Sequence, residues 1–272
     1  MPEGDTIFRA ARTLDRALAG RTVTAFESAL PRLNRVEEDH PIAGRQMVAV
    51  SARGKWMVME FTGDLFLLTH MRMNGSWHVY RPGEAWKRSR YHMRVAIHTD
   101  EFVAVGFDVP VAEFHTAASL ARHPGYGRLG EDVLSAEFNE RSAIKQLESR
   151  PDLQVGDALL LQGLMAGIGN VFKSEICFAC GVHPFRLTGG LLAEELACLV
   201  HTARKYLLAN VSESASSASR ATTGRINPAE QLWVYQRKGR ACLRCGTPIQ
   251  AEKQGSGARS TFWCPRCQPI QG

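Results

Sequence analysis

Two Cys-x-x-Cys pairs near the C-terminus constrain the fold of this chain more than any other feature. The first pair is Cys242 and Cys245, the second is Cys264 and Cys267, and residues 246–263 separate them. This spacing is typical of a zinc ribbon or zinc finger hairpin, in which each turn directs two thiolates at one tetrahedral Zn²⁺. Disulfide bonds are the alternative, which an intracellular environment disfavours. We therefore predict one zinc ion bound by these four thiolates.

The other three cysteines follow a different pattern. Cys177 and Cys180, in the stretch SEICFACGVHP, share one face of a predicted helix with apolar neighbours. Packing in the core is the favoured interpretation, and metal or redox chemistry is the alternative. Cys198 lies in the apolar stretch LACLV and is predicted to be simply buried.

Length and charge set the broad class. A chain of 272 residues with 44% hydrophobic residues can bury a full core, and we expect two domains. The net charge of +6 and pI near 9.1 favour a polyanionic partner such as nucleic acid, although solvated Lys and Arg faces would produce the same balance. The chain has no apolar run of about 18 residues and no secretory signal pattern, so we expect an intracellular, cytoplasmic protein with no membrane contact.

The hydrophobic pattern divides the chain into segments. An amphipathic helix is predicted over residues 5–19, with Asp5 or Thr6 as N-cap and Gly20 as terminator. Short β-rich stretches then continue to about residue 107 and predict a β-sandwich or barrel, and a series of helices follows a Gly- and Pro-rich stretch. The Ser-rich residues 211–228 predict a flexible loop, and residues 261–263 predict a short strand between the cysteine pairs.

Two short motifs allow more than one interpretation from their residues alone. The chain begins MPEGDT, so Pro2-Glu3 is either a frayed end or a reactive terminus. The GIGN motif at residues 167–170 joins two predicted helices. It is either an ordinary corner between helices or a helix N-terminus whose free N–H groups bind a phosphate.

In order along nearly the whole chain, these motifs resemble the formamidopyrimidine-DNA glycosylase and endonuclease VIII family. The matching stretches are the N-terminal PEG, RGKW, THMRMNG, GRLGEDVL, LMAGIGNVFKSEICFACGVHP and the four-cysteine ending. PEG and GEDVL favour the endonuclease VIII branch and oxidised pyrimidines as substrates. The resemblance implies a function in base excision repair, as a DNA glycosylase and abasic-site lyase that cleaves by β- or β,δ-elimination.

The fold implied by the resemblance is of the α+β class. An N-terminal β-sandwich with a flanking N-terminal helix would be followed by a helical domain with a helix-two-turn-helix motif, and then by the zinc finger hairpin. The expected bounds are 1–118 for the sandwich domain, 119–134 for a linker, 135–225 for the helical domain and 226–272 for the zinc finger.

The resemblance implies four catalytic residues. Once Met1 is removed, Pro2 would expose a secondary amine that attacks C1′ of the damaged nucleotide and forms an iminium. Glu3 would move protons between the sugar, the base and C2′. Lys55 would contact the phosphate by the lesion and assist β-elimination, although a solvated charge is the alternative. Arg259 would bind the flanking phosphates and assist δ-elimination.

The resemblance also implies four DNA-binding residues. His70 and Asn170 would hold phosphates, Arg128 would contact DNA from the linker, and Met73 would enter the gap left by the flipped nucleotide. For His70, a packed core position is the alternative. The segment GFDVPVAEF lacks the Arg and Phe that accompany Met73 in the purine-specific branch, so the sequence identifies no partner for Met73 in filling the gap.

The implied partner is damaged duplex DNA, with single-stranded DNA as an alternative, bound by a monomer associated with the nucleoid. Two other classes fit parts of the pattern. A catalytically silent DNA-binding protein would keep Asn170, Arg259 and the zinc finger but would not need a free Pro2. A zinc-ribbon protein with other partners would need none of the catalytic residues.

Overall fold

The chain divides into two compact units, residues 1–128 and 129–272. The structure, a computed structural model, describes residues 2–212 and 220–270. The division between the units falls within residues 119–134, where the sequence predicts a linker. Two expectations lie outside the described residues: the removal of Met1, and the flexible loop where it covers residues 213–219.

Two four-stranded antiparallel sheets make up most of the first unit. Their strands are β1 (Ala25–Ser28), β2 (Met47–Arg53), β3 (Trp56–Phe61), β4 (Leu65–His70), β5 (Ser76–Tyr80), β6 (Met93–His98), β7 (Val103–Phe107) and β8 (Val111–His115). One sheet has the order β1-β6-β7-β5 and the other the order β2-β3-β4-β8. Because side chains alternate between the two faces of a strand, each sheet has one apolar face. The side chains of these two faces pack together in a common buried cluster. The predicted β-sandwich is therefore confirmed.

Three helices flank the sandwich: α1 (Gly4–Leu18), α2 (Pro31–Asp39) and α3 (Ala117–Ala121). The helix predicted over residues 5–19 is confirmed as α1, and its apolar stripe joins the core. The predicted N-cap is wrong, because the helix begins earlier and Glu3 is its N-cap residue while Asp5 is buried within the first turn. The sequence pattern did not predict α2, whose apolar content is too low for a clear helical stripe.

The second unit begins with helices. Its elements before residue 212 are β9 (Glu131–Asp132), α4 (Glu140–Glu148), α5 (Val155–Leu160), β10 (Met165–Ala166), α6 (Asn170–Ala179) and α7 (Ala193–Ala209). The GIGN motif does not join two helices as predicted, because the residues before it form β10, which pairs in parallel with β9. Among the described residues of both units, no helix is long and apolar enough to cross a membrane.

The C-terminal hairpin consists of β11 (Gln250–Gln254) and β12 (Arg259–Trp263), paired antiparallel. The strand predicted at residues 261–263 is confirmed as part of β12. The turn between the strands uses Gly255 at φ +66° and Ala258 at φ +45°, and the Ala258 N–H donates to the Gly255 carbonyl at 3.0 Å. The hairpin packs with the four zinc-type cysteines and Phe178 of α6 into one small apolar cluster.

Two cysteine predictions are wrong. Cys198 is not simply buried and Cys180 is not simply packed in the core, because the two form a disulfide that joins the end of α6 to α7. Residues 18 positions apart in the chain meet here because α6 and α7 pack side by side. Cys177, one turn before Cys180, is a free and fully buried thiol as predicted, and burial raises its pKa to about 12.

Candidate active site and zinc centre

The first turn of α1 holds the N-terminal residues in place. The backbone carbonyl of Glu3 accepts hydrogen bonds from the N–H groups of Thr6 at 3.0 Å and Ile7 at 3.1 Å. The Glu3 side chain is fully buried, whereas Pro2 is half-buried at the edge of the unit. A side-chain oxygen of Asp15 accepts the N–H of Val50 at 2.8 Å and ties the same helix to β2. Pro2-Glu3 is therefore an ordered terminus and not a frayed one.

Lys55 lies in the two-residue turn between β2 and β3. Arg53 pairs with Trp56 in the sheet register, and only Gly54 and Lys55 lie between them. Gly54 takes a φ of +59°, which a glycine adopts at little cost at the first position of such a hairpin turn. Because the turn is this short, the position of the Lys55 backbone is set by the sheet.

His70 ends β4 directly opposite Trp56, so it lies beside the Lys55 turn. Its ring meets the Trp56 ring edge-on with centroids 4.7 Å apart. Burial and the nearby cations Arg72 and Lys55 lower the pKa of His70 to about 4, so the imidazole is neutral at pH 7. Its Nδ1 accepts the N–H of Arg72 at 2.9 Å, which places the ring proton on Nε2 as a donor.

Met73 projects into solvent from the turn after β4. Met71 is 2% exposed and Met73 is 57% exposed, so the two methionines of the MRM stretch have different environments. The turn is tight: Arg72 takes a φ of +49°, the Gly75 N–H donates to the Met71 carbonyl at 2.9 Å, and a Cβ on Gly75 would lie 2.6 Å from that carbonyl oxygen. The turn therefore presents one flexible apolar side chain outward from a constrained backbone.

Arg128 is exposed at the end of a braced loop. His123 Nδ1 accepts the N–H groups of Gly125 at 3.2 Å and Tyr126 at 3.0 Å, and the His123 ring packs edge-on against Trp56 at 5.0 Å. The Gly127 N–H donates to the His123 carbonyl at 2.7 Å. These contacts attach the loop before Arg128 to the same tryptophan that His70 contacts.

The side chains of Glu113, His115 and His123 form a second group that has metal-ligand chemistry. Their candidate ligand atoms lie within 4.8 Å of one another. However, His123 Nδ1 already accepts two N–H groups, so its Nε2 carries the ring proton and faces a carboxylate oxygen of Glu113 at 3.4 Å. A protonated nitrogen cannot bind a metal ion, and we interpret this group as a hydrogen-bonded brace for the loop.

In the second unit, Asn170 connects helix α6 to the finger hairpin. Asn170 is the first residue of α6, is 6% exposed, and donates from its side-chain amide to the Ser260 carbonyl at 2.8 Å. Its Oδ1 is buried and has no hydrogen-bond partner among the described residues. Lys173, one turn later, is fully buried and donates to the Thr261 hydroxyl. Two residues of α6 thus hold the start of β12.

Arg259 is the first residue of β12 and is exposed. Its partner across the hairpin is Gln254, whose buried side chain donates to the Pro184 carbonyl at 2.8 Å and to Gln154 at 3.0 Å. The strand position of Arg259 is therefore supported from both sides, by α6 and by this glutamine. A guanidinium on such a support can bind a phosphate through two parallel N–H groups.

The sequence analysis did not identify Glu175, which organises the segment after the Ser-rich stretch. This fully buried carboxylate accepts the N–H groups of Trp233, Val234 and Tyr235 at 2.7–2.9 Å, and the hydroxyl of Thr222. Burial raises the pKa of Glu175, and these four donors act in the opposite direction. The sequence offered only a weak signal, a charged residue between the apolar positions of α6, because Asn170, Lys173 and Ser174 on the same helix are also polar.

The four cysteines of the finger fit one zinc ion. Their Sγ atoms all lie within 4.8 Å of one another, with Cys242 and Cys267 3.9 Å apart and Cys245 and Cys264 3.5 Å apart. Tetrahedral coordination with Zn–S bonds of about 2.3 Å requires sulfur separations of about 3.8 Å. Burial raises the pKa of the Cys264 thiol, so a thiolate there needs the charge of a cation. Four thiolates leave no ligand position open for water, so the zinc is structural.

Three family models from DNA glycosylases and a zinc finger family match successive segments of this chain. Family models match the formamidopyrimidine-DNA glycosylase N-terminal domain over residues 1–109, its H2TH domain over residues 129–222, and the zinc finger found in FPG and IleRS over residues 239–270. Together they cover most of the chain in the expected order. This chain belongs to the formamidopyrimidine-DNA glycosylase and endonuclease VIII family.

Individual relatives agree in length as well as in sequence. The chain is 41% identical over 271 residues to the probable endonuclease 8 2 of Streptomyces coelicolor, covering 98% of this chain and 94% of that protein. It is 35% identical to the DNA-(apurinic or apyrimidinic site) lyase Nei2 of Mycolicibacterium smegmatis, covering 98% and 99%. The Fpg of Lactococcus lactis, solved in complex with DNA containing an abasic site, has the same fold with a TM-score of 0.83 at 23% identity, covering 98% of this chain and all of that one.

Proposed function

We propose that this protein is a bifunctional DNA glycosylase and abasic-site lyase of base excision repair, with the N-terminal amine of Pro2 as its nucleophile. The observation that carries the proposal is the ordered terminus, where a half-buried proline precedes a fully buried glutamate fixed by the first turn of α1. An α-amino group has a pKa of about 8, so a useful fraction of Pro2 is neutral and nucleophilic near pH 7.

The proposed chemistry begins with base removal. The nitrogen of Pro2 forms a bond to C1′ while the bond from C1′ to the base breaks, and the N–H proton of Pro2 is transferred to the departing base. The C1′–O4′ bond then breaks: its electron pair moves onto O4′, which takes a proton, and the nitrogen lone pair forms the double bond to C1′, which leaves a cationic iminium between Pro2 and C1′. Because a secondary amine forms an iminium that is charged without a further proton, it withdraws electrons from C2′ at neutral pH.

Strand cleavage follows from this iminium. Loss of a proton from C2′ and departure of the 3′ phosphate from C3′ complete β-elimination, and water then releases Pro2. We assign the proton transfers at O4′ and C2′ to Glu3, the carboxylate next in the chain. A buried carboxylate suits this function because its protonation state is controlled by its surroundings and not by bulk water.

Cations and neutral N–H donors of both units would bind the DNA backbone. In the first unit we assign this role to Lys55, to the neutral Nε2–H donor of His70 and to the exposed Arg128. In the second unit we assign it to Arg259 and to Asn170, whose amide has a second hydrogen beyond the one donated to Ser260. Met73 would enter the gap left by the flipped nucleotide. Oxidised pyrimidines are the proposed substrates, and the nucleoid is the proposed location.

Borohydride trapping tests the nucleophile. Protein incubated with a duplex containing one abasic site is reduced with borohydride, and the N-terminal peptide is analysed by mass spectrometry. We expect an adduct on Pro2, no adduct from a chain with one residue added before Pro2, and little cleavage by Glu3→Gln. Glu38→Gln, an exposed carboxylate on α2, is the matched control and should cleave like the unmodified chain.

A catalytically silent DNA-binding protein is the second candidate. It would be favoured if protein that starts at Pro2 binds the abasic-site duplex but yields neither an adduct nor a cleaved strand. Its binding would then still depend on Arg259 and on the zinc finger.

A further inference from the structure

The surface of the first unit carries an exposed aromatic side chain that the proposed chemistry does not use. Among the described residues of this unit, three large apolar side chains are exposed: Val48 at 46%, Met73 at 57% and Tyr91 at 81%. Exposing most of an aromatic ring forgoes the stabilisation that its burial would provide. Tyr91 therefore needs a reason for its position.

The backbone that carries Tyr91 is firmly held. Tyr91 is the middle residue of a 3₁₀ turn (Arg90–His92), and the His92 N–H donates to the Ser89 carbonyl at 3.0 Å. The Asp108 N–H donates to the His92 carbonyl at 2.8 Å, and the Tyr91 carbonyl accepts a guanidinium N–H of Arg94 at 3.0 Å. A ring that projects from such a turn loses little further freedom when a ligand stacks on it.

The sheet topology places Tyr91 at the same end of the sandwich as Met73. Strand β5 starts at Ser76 and strand β6 starts at Met93, and both of these residues pair with Phe107 at the end of β7. Because β5 and β6 are each antiparallel to β7, they run in the same direction and start at the same end of the sheet. Met73 precedes one start and Tyr91 precedes the other.

The spacing suits contact with neighbouring bases. One strand, β7, lies between β5 and β6, so their starts are about 10 Å apart at a strand spacing of about 4.8 Å. That distance corresponds to about three base steps of about 3.4 Å along one DNA strand. A base contacted by Tyr91 would therefore lie within a few nucleotides of the gap assigned to Met73.

The surroundings of Tyr91 are cationic. Residues 87–94 contain four permanent cations, Lys87, Arg88, Arg90 and Arg94, and no carboxylate. Two carboxylates from elsewhere in the unit pair with them: Asp108 with Arg88 and Arg94, and Glu27 with Arg90. A third carboxylate, Glu84, lines one surface pocket with Arg88 and Arg90, which leaves an excess of one positive charge. An exposed aromatic ring beside several arginines matches the combination that binds unpaired bases of a nucleic acid and the phosphates between them.

The loop that follows β7 at this end of the sheet offers no competing aromatic group. Val109 is fully buried, and Asp108 is engaged with the neighbouring cations. Within the described residues at this end of the first unit, Met73 and Tyr91 are thus the two large apolar side chains available to DNA bases.

We propose that Tyr91 stacks on a base within about three nucleotides of the gap left by the flipped nucleotide and acts as the aromatic partner of Met73. This inference rests on the proposed function, because it requires damaged DNA at the same end of the unit. Tyr91 would contribute to binding and to stabilisation of the distorted DNA, and not to the chemical step.

The test uses a series of duplexes that contain a tetrahydrofuran abasic analogue, each with one 2-aminopurine at one of the positions up to about three nucleotides from the analogue or opposite it. Stacking on an aromatic ring quenches 2-aminopurine fluorescence. We expect Tyr91→Ala to raise the fluorescence of the bound duplex and to weaken binding about 5- to 100-fold, the range for loss of one stacked base. Tyr91→Trp should keep both properties, whereas Tyr91→Leu should behave like Tyr91→Ala.

Val48→Ala is the matched control. Val48 is an exposed apolar residue at the start of β2, away from the Lys55 turn that follows the end of this strand, so the variant should bind like the unmodified chain. Thermal unfolding of each variant confirms that it is folded. If Tyr91→Ala binds and quenches like the unmodified chain, or if Tyr91→Leu retains full affinity, the stacking proposal is overturned. Trapping of the unmodified chain on an abasic duplex is measured in parallel, because its failure overturns the proposed function and not the assignment of Tyr91 alone.

Discussion

The side-chain amide of Asn170 donates to the backbone carbonyl of Ser260 at 2.8 Å, across 90 positions of the chain. Ser260 follows Arg259, the exposed cation of the finger hairpin. Asn170 therefore holds the strand that presents Arg259, in addition to the phosphate contact that we propose for its remaining amide hydrogen.

A double-mutant cycle distinguishes shared from independent action. We expect Asn170→Ala and Arg259→Ala each to weaken binding to an abasic-analogue duplex. The double variant should lose less binding free energy than the sum of the losses of the two single variants. The coupling should be about 0.5–3 kcal/mol, as found for residues that act through one local structure. Arg266→Ala, an exposed arginine on the second zinc knuckle, is the control and should show no coupling with Asn170→Ala. Strictly additive losses would contradict the positioning role of Asn170.

The lowered pKa of His70 predicts a pH dependence of stability. The pKa falls from 6.5 in the unfolded chain to about 4 in the folded one, so protonation favours unfolding. The contribution of neutral His70 is complete above pH 6.5 and is lost as the pH falls through about 4. We expect the free energy of unfolding of His70→Gln to decrease less than that of the unmodified chain between pH 7 and pH 4, as measured by urea denaturation. A His40→Gln control, exposed after α2, should follow the unmodified chain, and parallel curves for all three proteins would refute the prediction.

Zinc content tests both candidate metal groups. We expect one zinc ion per chain by elemental analysis. A strong chelator should release it together with the capacity to bind DNA, because the four thiolates around one ion hold together the two knuckles on either side of the finger hairpin. Cys264→Ser should have the same effect. Two zinc ions per chain would contradict our interpretation of Glu113, His115 and His123 as a hydrogen-bonded brace.

The Cys180–Cys198 bond predicts a thiol count. Protein purified without reductant, then denatured with a chelator present, should expose five reactive thiols per chain, since five of the seven cysteines are free. Reduction before denaturation should raise the count to seven. A count of seven without reductant would show that Cys180 and Cys198 are thiols in the purified protein.

Because the buried carboxylate of Glu175 accepts several hydrogen bonds, we expect even the conservative substitution Glu175→Gln to lower the free energy of unfolding. Glu175→Gln keeps the shape of the side chain but replaces one acceptor oxygen with an amide donor opposite N–H groups that need an acceptor. Each unsatisfied buried donor costs about 1–3 kcal/mol. We expect a loss in the free energy of unfolding in this range by urea denaturation, against no change for the exposed Glu148→Gln. Equal stability of both variants would contradict the role assigned to Glu175.

The sequence by itself determined the elements whose signal is local. The apolar stripe predicted α1, the cysteine spacing predicted the zinc centre, and the ordered series of motifs predicted the family that the comparisons then showed. In each case the residues that carry the signal are close in the chain, so short-range geometry is enough to interpret them. The residue roles inferred from the resemblance remain predictions that the experiments above address.

Only the tertiary structure decided the contacts between distant residues. These contacts depend on which elements pack together: the disulfide between Cys180 and Cys198, the hydrogen bond from Asn170 to Ser260, and the hydrogen bonds that Glu175 accepts. The placement of Met73 and Tyr91 at the same end of the sandwich follows from strands that pair through β7, which no local pattern specifies. Burial and strand register are properties of the whole core, and for this reason the environments of His70 and Glu3 could not be read from their neighbours in the sequence.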